Sequence, residues 1–150
     1  MFRRIALVAL LAPLLSLAPS AGPGTAAPAP RTADDGAVVH PEWGWTKGET
    51  GVLKRGCRKY HYTYSIKPPE GDWALEIFLS GPDFEHLAAG AYDGSYDPTT
   101  GRGTYKLCFV TTRYGRFTIE AKVSTMNGPD GYVEGWLPPS HFRLHRPRRG

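Results

Sequence analysis

The sequence predicts an all-β domain, folded as an antiparallel sandwich of two sheets with about seven short strands. From His61 onward, several segments alternate apolar and polar residues with a period of two, which is the pattern of half-buried strands. The 18 Gly and 14 Pro residues supply many of the breaks between these segments. Because helical spacing is nearly absent, two packed sheets are favoured, and a small barrel is the alternative.

Four segments carry the alternation over their whole length. Each one places large apolar side chains on one face and polar side chains on the other. The apolar sets are Tyr60, Tyr62, Tyr64 and Ile66; Trp73, Leu75, Ile77 and Leu79; Tyr105, Leu107 and Phe109; and Phe117, Ile119, Ala121 and Val123. The last two segments are joined by a short turn at Tyr114-Gly115, which predicts adjacent or sequential strands. Tyr60, Tyr62 and Tyr64 are predicted to be core residues, and a binding surface is the alternative.

Shorter strand candidates lie at 52–53, 91–96, 132–137 and 142–144. One helical turn is expected at 83–89, where apolar residues have helical spacing after a proline. This turn would cap a crossover between the two sheets.

The first 26 residues predict a secretory signal peptide. Arg3 and Arg4 open it, an apolar run follows, and small residues lead to a cleavage site after Ser20 or, preferably, Ala26. The run of about 13 residues is shorter than the roughly 20 that a membrane-spanning helix needs, so no transmembrane anchor is expected. We therefore expect an extracellular, secreted protein.

The chain after the cleavage site divides into three parts. Residues 27–37 are predicted to be a disordered leader because they lack large apolar side chains. Residues 38–146 form the β-sandwich domain, and residues 147–150 form a basic tail. About 120 residues are enough for one hydrophobic core but not for two domains.

The formal net charge of +4 is concentrated at the two ends of the chain. Residues 37–142 contain 11 Lys or Arg against 12 Asp or Glu, so the domain body is nearly neutral and nucleic acid is not the expected partner. One local basic cluster remains, and it is a candidate anion patch that the Arg-rich tail could extend. Its members are Lys54, Arg55, Arg58 and Lys59. A solvated tail without a partner is the alternative interpretation of the C-terminal charges.

The two cysteines are predicted to form one disulfide on the surface. Cys57 shares the polar parity of Lys59, and Cys108 lies between Leu107 and Phe109, so both point away from the predicted core. In an exported protein with two cysteines a disulfide is expected, with free thiols or metal ligands as alternatives. The disulfide would close a loop of about 51 residues between Cys57 and Cys108. The chain-entropy model assigns this closure about 4 kcal/mol of folding stability.

The order of several features resembles that of small secreted actinobacterial proteins with a predicted immunoglobulin-like sandwich. These features are Cys57, an aromatic strand, Trp73-Ala74-Leu75, Gly81-Pro82, Leu107-Cys108, Gly115-Arg116-Phe117-Thr118-Ile119 and Phe142-Arg143-Leu144. The resemblance implies export and an immunoglobulin-like or fibronectin-like fold. It transfers no functional residues, and this fold carries many unrelated functions.

Catalytic, cofactor-binding and metal-binding residues are not predicted. The sequence lacks the serine-hydrolase elbow, the zinc-protease helix motif and the phosphate-binding loop. His141 and His145 would lie about 13 Å apart along a strand, which is too far to share a metal ion. The acidic pair Asp93 and Asp97 could hold calcium but lacks the terminal Glu of an EF-hand, and a turn is the alternative.

Three tryptophans outside the four alternating sets are candidate ligand contacts. They are Trp43, Trp45 and Trp136, whose rings could stack on sugars, anchor a protein partner or plug the end of the sandwich. We therefore predict a secreted, non-catalytic binding or interaction module without a cofactor. Its partner would be a cell-wall polymer, a polysaccharide or an extracellular protein. A small extracellular hydrolase or a protein inhibitor on a β scaffold is the alternative.

Overall fold

The computed structural model describes residues 37–127 and 131–148, which form nine β-strands and one turn of 3-10 helix. The elements are the helical turn Pro41–Trp43, β1 Gly44–Gly48, β2 Gly51–Val52, β3 Cys57–Ile66, β4 Asp72–Ser80, β5 Ala88–Asp93, β6 Thr100–Cys108, β7 Gly115–Met126, β8 Tyr132–Trp136 and β9 Ser140–His145. The predicted signal peptide, nearly all of the predicted leader and the last two residues lie outside the described residues. None of the described helical segments has the length and hydropathy to cross a lipid bilayer.

The strands form two sheets, as the sequence predicts. The smaller sheet has the order β1-β3-β6, and the larger has the order β2-β9-β7-β4-β5, with β8 also paired to β7. Every pair of named strands is antiparallel except β2 with β9, which run parallel. The expectation of a wholly antiparallel sandwich is therefore wrong at this edge, because the chain leaves β1 and joins the far sheet beside β9.

Strand β7 spans the whole larger sheet and changes partner halfway along. Its first residues pair with β9 and its last residues pair with β8, on the same side of the strand. Leu137-Pro138-Pro139 separates these two partners. Pro lacks the amide donor that a ladder needs, so the paired strand stops at Trp136 and resumes at Ser140.

The core lies between the sheets and contains the side chains that the alternation predicts. Buried residues of the smaller sheet include Tyr62, Tyr64, Ile66, Tyr105 and Leu107. Those of the larger sheet include Leu75, Ile77, Leu79, Phe117, Ile119, Ala121, Val123, Phe142 and Leu144. The prediction that Tyr62 and Tyr64 are core residues is confirmed. Their rings lie against Gly101 and Gly103 of the neighbouring strand, where an added methyl group would collide with them.

The helical turn expected at 83–89 is wrong. Gly81 N donates to the carbonyl of Phe84, and β5 already begins at Ala88, so the segment is a tight turn. His86 adopts a φ of 50°, in the left-handed region, and this reverses the chain without a helical turn. Leu87 and Ala88 still pack against the core, which explains their apolar character.

The disulfide is present and joins neighbouring strands of one sheet. Cys57 lies directly opposite Cys108 in the β3–β6 register, and the sulfur atoms are 2.02 Å apart. Cys57 is exposed, as its parity predicts. The bond is a surface link within the smaller sheet, and it fixes the register of β3 against β6.

Candidate functional site

The outer face of the smaller sheet collects cations from all three of its strands. Lys59 of β3 lies opposite Lys106 of β6. Lys47 of β1 lies opposite Thr63, whose other neighbour is Arg102 of β6. These four cationic side chains are exposed, while alternate residues of β3 and β6, Tyr62, Tyr64, Tyr105 and Leu107, point into the core. We call Lys47, Lys59, Arg102 and Lys106 the basic face.

One carboxylate lies beside the basic face. Glu49 follows β1 and accepts a hydrogen bond of 2.6 Å from the Arg102 guanidinium. Both side chains are about half exposed, so this ion pair stabilises the fold by at most about 1 kcal/mol. The other outward positions of the described strands β1, β3 and β6 hold no acidic residue. The face therefore carries an excess of three positive charges.

Hydroxyl groups occupy four of the remaining outward positions. Thr63, Ser65, Thr100 and Thr104 lie on this face with His61, and the Ser65 and Thr100 hydroxyls are 3.1 Å apart. Hydroxyls donate and accept hydrogen bonds, so a ligand held by the cations would meet neutral polar groups between them.

The positive charges of Lys59 and Lys106 repel each other across the β3–β6 pair and weaken the pairing of these strands. Like charges directly across a pair of strands are destabilising. The Cys57–Cys108 disulfide occupies the next outward pair and holds the two strands together at that point. The fold thus tolerates the repulsion between Lys59 and Lys106, although this lysine pair contributes nothing to its stability.

The larger sheet presents a mixed outer face. Its outward carboxylates are Asp72, Glu76, Asp93, Glu120 and Glu134, and its outward cations are Arg116, Lys122 and Arg143. Lys122 bonds Glu76 at 2.8 Å and lies 3.7 Å from Glu134, and the bond to Glu76 raises the pKa of Lys122. This outer face therefore carries five carboxylates against three cations, an excess of two negative charges, which is opposite in sign to the excess on the basic face.

The four predicted residues of the anion patch are all exposed but do not share one sheet face, although Lys54, Arg58 and Lys59 line one notch. Lys59 belongs to the basic face. Lys54 and Arg55 lie in the connection between β2 and β3, and Arg58 lies opposite Leu107, so its parity differs from that of Lys59.

The C-terminal basic segment lies beside this connection. The amide of Leu53 donates a hydrogen bond of 2.9 Å to the carbonyl of His145. Lys54 and Arg146 each follow one of these bonded residues. The backbone at Lys54 therefore lies close to that at Arg146, and extension of the patch by the Arg-rich tail stays a prediction.

An open notch of about 260 Å³ lies between the β1–β2 connection and the first half of β3. Lys54, Arg58, Lys59, Tyr60 and His61 contribute to its walls. The Tyr60 hydroxyl accepts a hydrogen bond of 2.8 Å from the Lys54 amide and donates one to the Val52 carbonyl. These bonds tie the connection to β3 and fix one wall of the notch.

The three candidate tryptophans are not brought together. Trp43 packs on the edge of the core and stacks on His40, with ring centroids 3.8 Å apart. Trp136 lies on the outer face of the larger sheet, 6.0 Å from the Phe78 ring. Only Trp45 shares a surface with the basic face, where it lies on β1 opposite Ser65 and is 49% exposed.

The acidic turn at 93–97 uses its carboxylates to bond the backbone. Asp97 accepts a hydrogen bond from the Asp93 amide at 3.1 Å, and Asp93 accepts one from the Ser95 amide at 2.9 Å. This geometry favours the turn over the calcium interpretation. Within 37–127 and 131–148, no group of three or more His, Cys, Asp or Glu side chains could hold a metal ion.

His141 lies on the outer face of β9, and its Nδ1 is 3.1 Å from the Thr118 hydroxyl. Burial, assisted by the positive charge of Arg116, lowers the pKa of His141, so the ring is predominantly neutral at pH 7.

Three residues of the basic face were missed by sequence reasoning. Arg102 and Lys106 carry a usable signal, because they have the opposite parity to the apolar residues Tyr105 and Leu107. Lys47 carries none, since β1 is short and has no apolar alternation. The charge cluster at residues 54–59 contains only one residue of the basic face, Lys59, because the cations of a sheet face are distant in sequence.

No protein-family model, curated protein or solved structure matches the chain. The function is therefore inferred from the geometry and charge of the two sheets.

Proposed function

We propose that the protein is a non-catalytic extracellular binding module that holds an anionic polymer, such as an anionic cell-wall polymer or polysaccharide, against the basic face. The observation that carries the proposal is the excess of positive charge on one sheet face. Four cations face one carboxylate there, while the outer face of the other sheet carries five carboxylates against three cations. A surface of this kind attracts anions and accelerates their association.

The spacing of the cations suits a ligand with repeated anionic groups. Neighbouring strands lie about 4.8 Å apart, and outward residues of one strand recur about every 6.8 Å. Lys59 and Lys106 occupy one row of this grid, and Lys47 and Arg102 occupy another. Lys acts as a point charge, whereas Arg can bond two oxygens of one phosphate, sulfate or carboxylate.

The disulfide supports an extracellular site of action. Such bonds persist in oxidising compartments and are rare in the cytosol. The predicted signal peptide is consistent with that compartment. The two facing sheets support an immunoglobulin-like sandwich in the broad sense, from which the parallel β2–β9 pair and the disulfide within one sheet depart.

Polysaccharide and wall polymers are favoured over single-stranded nucleic acid by the scarcity of aromatic rings on the basic face. Proteins that bind single strands stack successive bases on aromatic side chains. Trp45 is the one Trp, Tyr or Phe side chain at an outward position of the described strands β1, β3 and β6, and it lies away from the lysine pair. A polymer recognised by charge and hydroxyls fits this face better.

The test compares binding of teichoic acid, heparin and a neutral dextran by the wild-type protein and two double variants. Lys59→Ala with Lys106→Ala removes one of the two cationic rows of the basic face, and we expect a loss of affinity for the anionic polymers of about tenfold or more. Arg116→Ala with Arg143→Ala is the matched control, because these arginines also form an opposed pair, on the other sheet. Equal binding of dextran, or a loss only in the control, would refute the proposal.

Nucleic acid and an acidic protein serve as comparison ligands in the same assay. Tighter binding of single-stranded DNA than of teichoic acid and heparin would assign the face to nucleic acid instead. Thermal melts of each variant check that the fold is intact.

A further inference from the structure

We propose that the notch beside the basic face is a site for one tetrahedral oxyanion, the phosphate or sulfate monoester of a ligand. This inference rests on the proposed function and adds to it a defined anchoring position. The notch would hold one charged group in a fixed place, while the basic face holds the rest of the polymer by charge.

The notch arises where β3 extends beyond the end of its partner β1. Paired residues of β1 and β3 end at Gly48 with Tyr62, and the amide of Glu49 donates the last bond to the His61 carbonyl. The chain then crosses to β2 in the larger sheet. Residues 57–60 of β3 consequently keep β6 on one side and have the notch on the other.

Three cationic side chains reach the notch from different directions. Lys54 comes from the β2–β3 connection, and Arg58 and Lys59 come from opposite faces of β3. The hydrogen bond from the Lys54 amide to Tyr60 fixes the backbone that carries Lys54. Convergence from several directions suits a tetrahedral group, whose oxygens point outward in several directions, better than a planar carboxylate.

The backbone of β3 adds a donor to this arrangement. The His61 carbonyl points to the β1 side, since it accepts the bond from Glu49. In an antiparallel strand the amide and carbonyl of one residue point to the same side, and the pattern repeats every second residue. The amide of Lys59 therefore faces the notch together with the carbonyl of the same residue, where β1 no longer runs alongside.

His61 provides an observation independent of charge. It lines the notch, and its Nδ1 is buried without a hydrogen-bond partner among the described residues. A buried polar atom without a partner is unfavourable by about 1–3 kcal/mol. Because this atom is shielded from solvent, the imidazole must turn toward the notch before Nδ1 can bond a ligand there. Glu49 also lines the notch, but Arg102 compensates its carboxylate.

The experiment is an NMR titration of the disulfide-bonded protein with methyl phosphate, methyl sulfate and acetate. We expect saturable shifts of the amides of residues 58–61 with one or both tetrahedral anions, and weaker or unsaturable shifts with acetate. The phosphate and sulfate arms decide which monoester is preferred. Arg58→Ala is expected to weaken this binding about tenfold. Arg55→Ala is the matched control, because Arg55 is exposed in the same connection but does not line the notch.

The inference is wrong if no shift saturates, if acetate binds as well as the tetrahedral anions, or if both arginine variants weaken binding equally. Its failure differs from a failure of the basic face. Loss of polymer binding in the Lys59 and Lys106 double variant, without saturable monoester binding, would overturn the notch and keep the basic face. Monoester binding that persists when no polymer binds would overturn the basic face, and a notch that binds alone would then remain.

Discussion

At the scale of single residues, the buried tyrosines differ in how their hydroxyls are satisfied. The Tyr62 hydroxyl lies 2.7 Å from that of Tyr92, whereas the Tyr105 hydroxyl has no partner among the described residues. Both side chains are 2% exposed. The rings of Tyr62 and Tyr105 stack with centroids 4.4 Å apart, so both contribute to one aromatic cluster.

Replacement of these hydroxyls should have opposite effects on stability. Tyr105→Phe removes a buried polar atom without a partner, and we expect the free energy of unfolding to stay constant or to rise by about 1 kcal/mol. Tyr62→Phe breaks a hydrogen bond, and we expect a loss of about 1 kcal/mol. Urea denaturation measures both values. A larger loss for Tyr105→Phe than for Tyr62→Phe would mean that the Tyr105 hydroxyl has a partner.

The same tyrosines make stability sensitive to alkaline pH. Burial raises the pKa of Tyr62 and of Tyr105 well above the usual value of 10. Above that value the unfolded state releases these protons while the folded state retains them, so unfolding becomes more favourable. Their contribution is complete below about pH 10 and is lost as the pH rises toward the folded-state values.

We therefore expect cooperative unfolding above pH 10, accompanied by a steep rise in tyrosinate absorbance. Circular dichroism and absorbance recorded during one pH titration test this expectation. Tyr105→Phe should make the loss of stability less steep because one of the raised groups is gone. Ionisation of all eight tyrosines near pH 10 with the circular dichroism unchanged would contradict the prediction.

At the scale of elements, the disulfide and the lysine pair of β3 and β6 act against each other. The bond closes a loop of 51 residues, and the chain-entropy model assigns it about 4 kcal/mol. The repulsion between Lys59 and Lys106 lies in the adjacent outward row. Without the bond, this repulsion would act on strand ends that are free to separate.

The variant with Cys57→Ser and Cys108→Ser should therefore lose stability in a salt-dependent way. We expect a loss of about 2–4 kcal/mol at low ionic strength and a smaller loss at high ionic strength, where the lysine charges are screened. Denaturation at two salt concentrations measures the difference. Adding Lys106→Ala to the variant without the disulfide should remove most of the salt dependence of its stability loss. An unchanged salt dependence would mean that the repulsion does not come from the lysine pair.

Strand prediction succeeded where the alternation was long and failed where pairing was not local. The apolar faces of β3, β4, β6 and β7 follow from their side chains alone. β1 was missed because Gly44, Thr46 and Gly48 occupy its inward positions instead of large apolar residues. β2 has two residues and forms its ladder with β9, more than 90 positions later, so no local pattern reports its parallel pairing.

The disulfide was predictable, but the basic face was not. Parity alone placed Cys57 and Cys108 outward, and two cysteines leave one pairing. The cations of the face come from three strands, and their contact depends on the sheet order β1-β3-β6. That order is a tertiary property, which explains why sequence reasoning selected four neighbouring charges, of which only Lys59 belongs to the face.

At the scale of the whole molecule, the separation of charge between the two sheets predicts the salt dependence of binding. A ligand that neutralises the four cations of the basic face releases about as many counterions. The logarithm of its affinity should then fall with the logarithm of salt concentration with a slope of about −3. Removing Lys59 and Lys106 should reduce the magnitude of the slope by about 1.4. Isothermal titration at several salt concentrations gives both slopes, and a slope near zero would exclude binding by charge.

The position of β6 gives its cations a second consequence, for solubility. β6 is an edge strand of the smaller sheet, so one side of its backbone is available to pair with another chain. Arg102 and Lys106 lie on this strand, and charged edge residues oppose such pairing by repulsion between molecules. A polymer that neutralised these charges would also remove that repulsion. Copies crowded along one polymer would then be able to join edge to edge, and a polymer saturated with protein would carry a continuous protein coat.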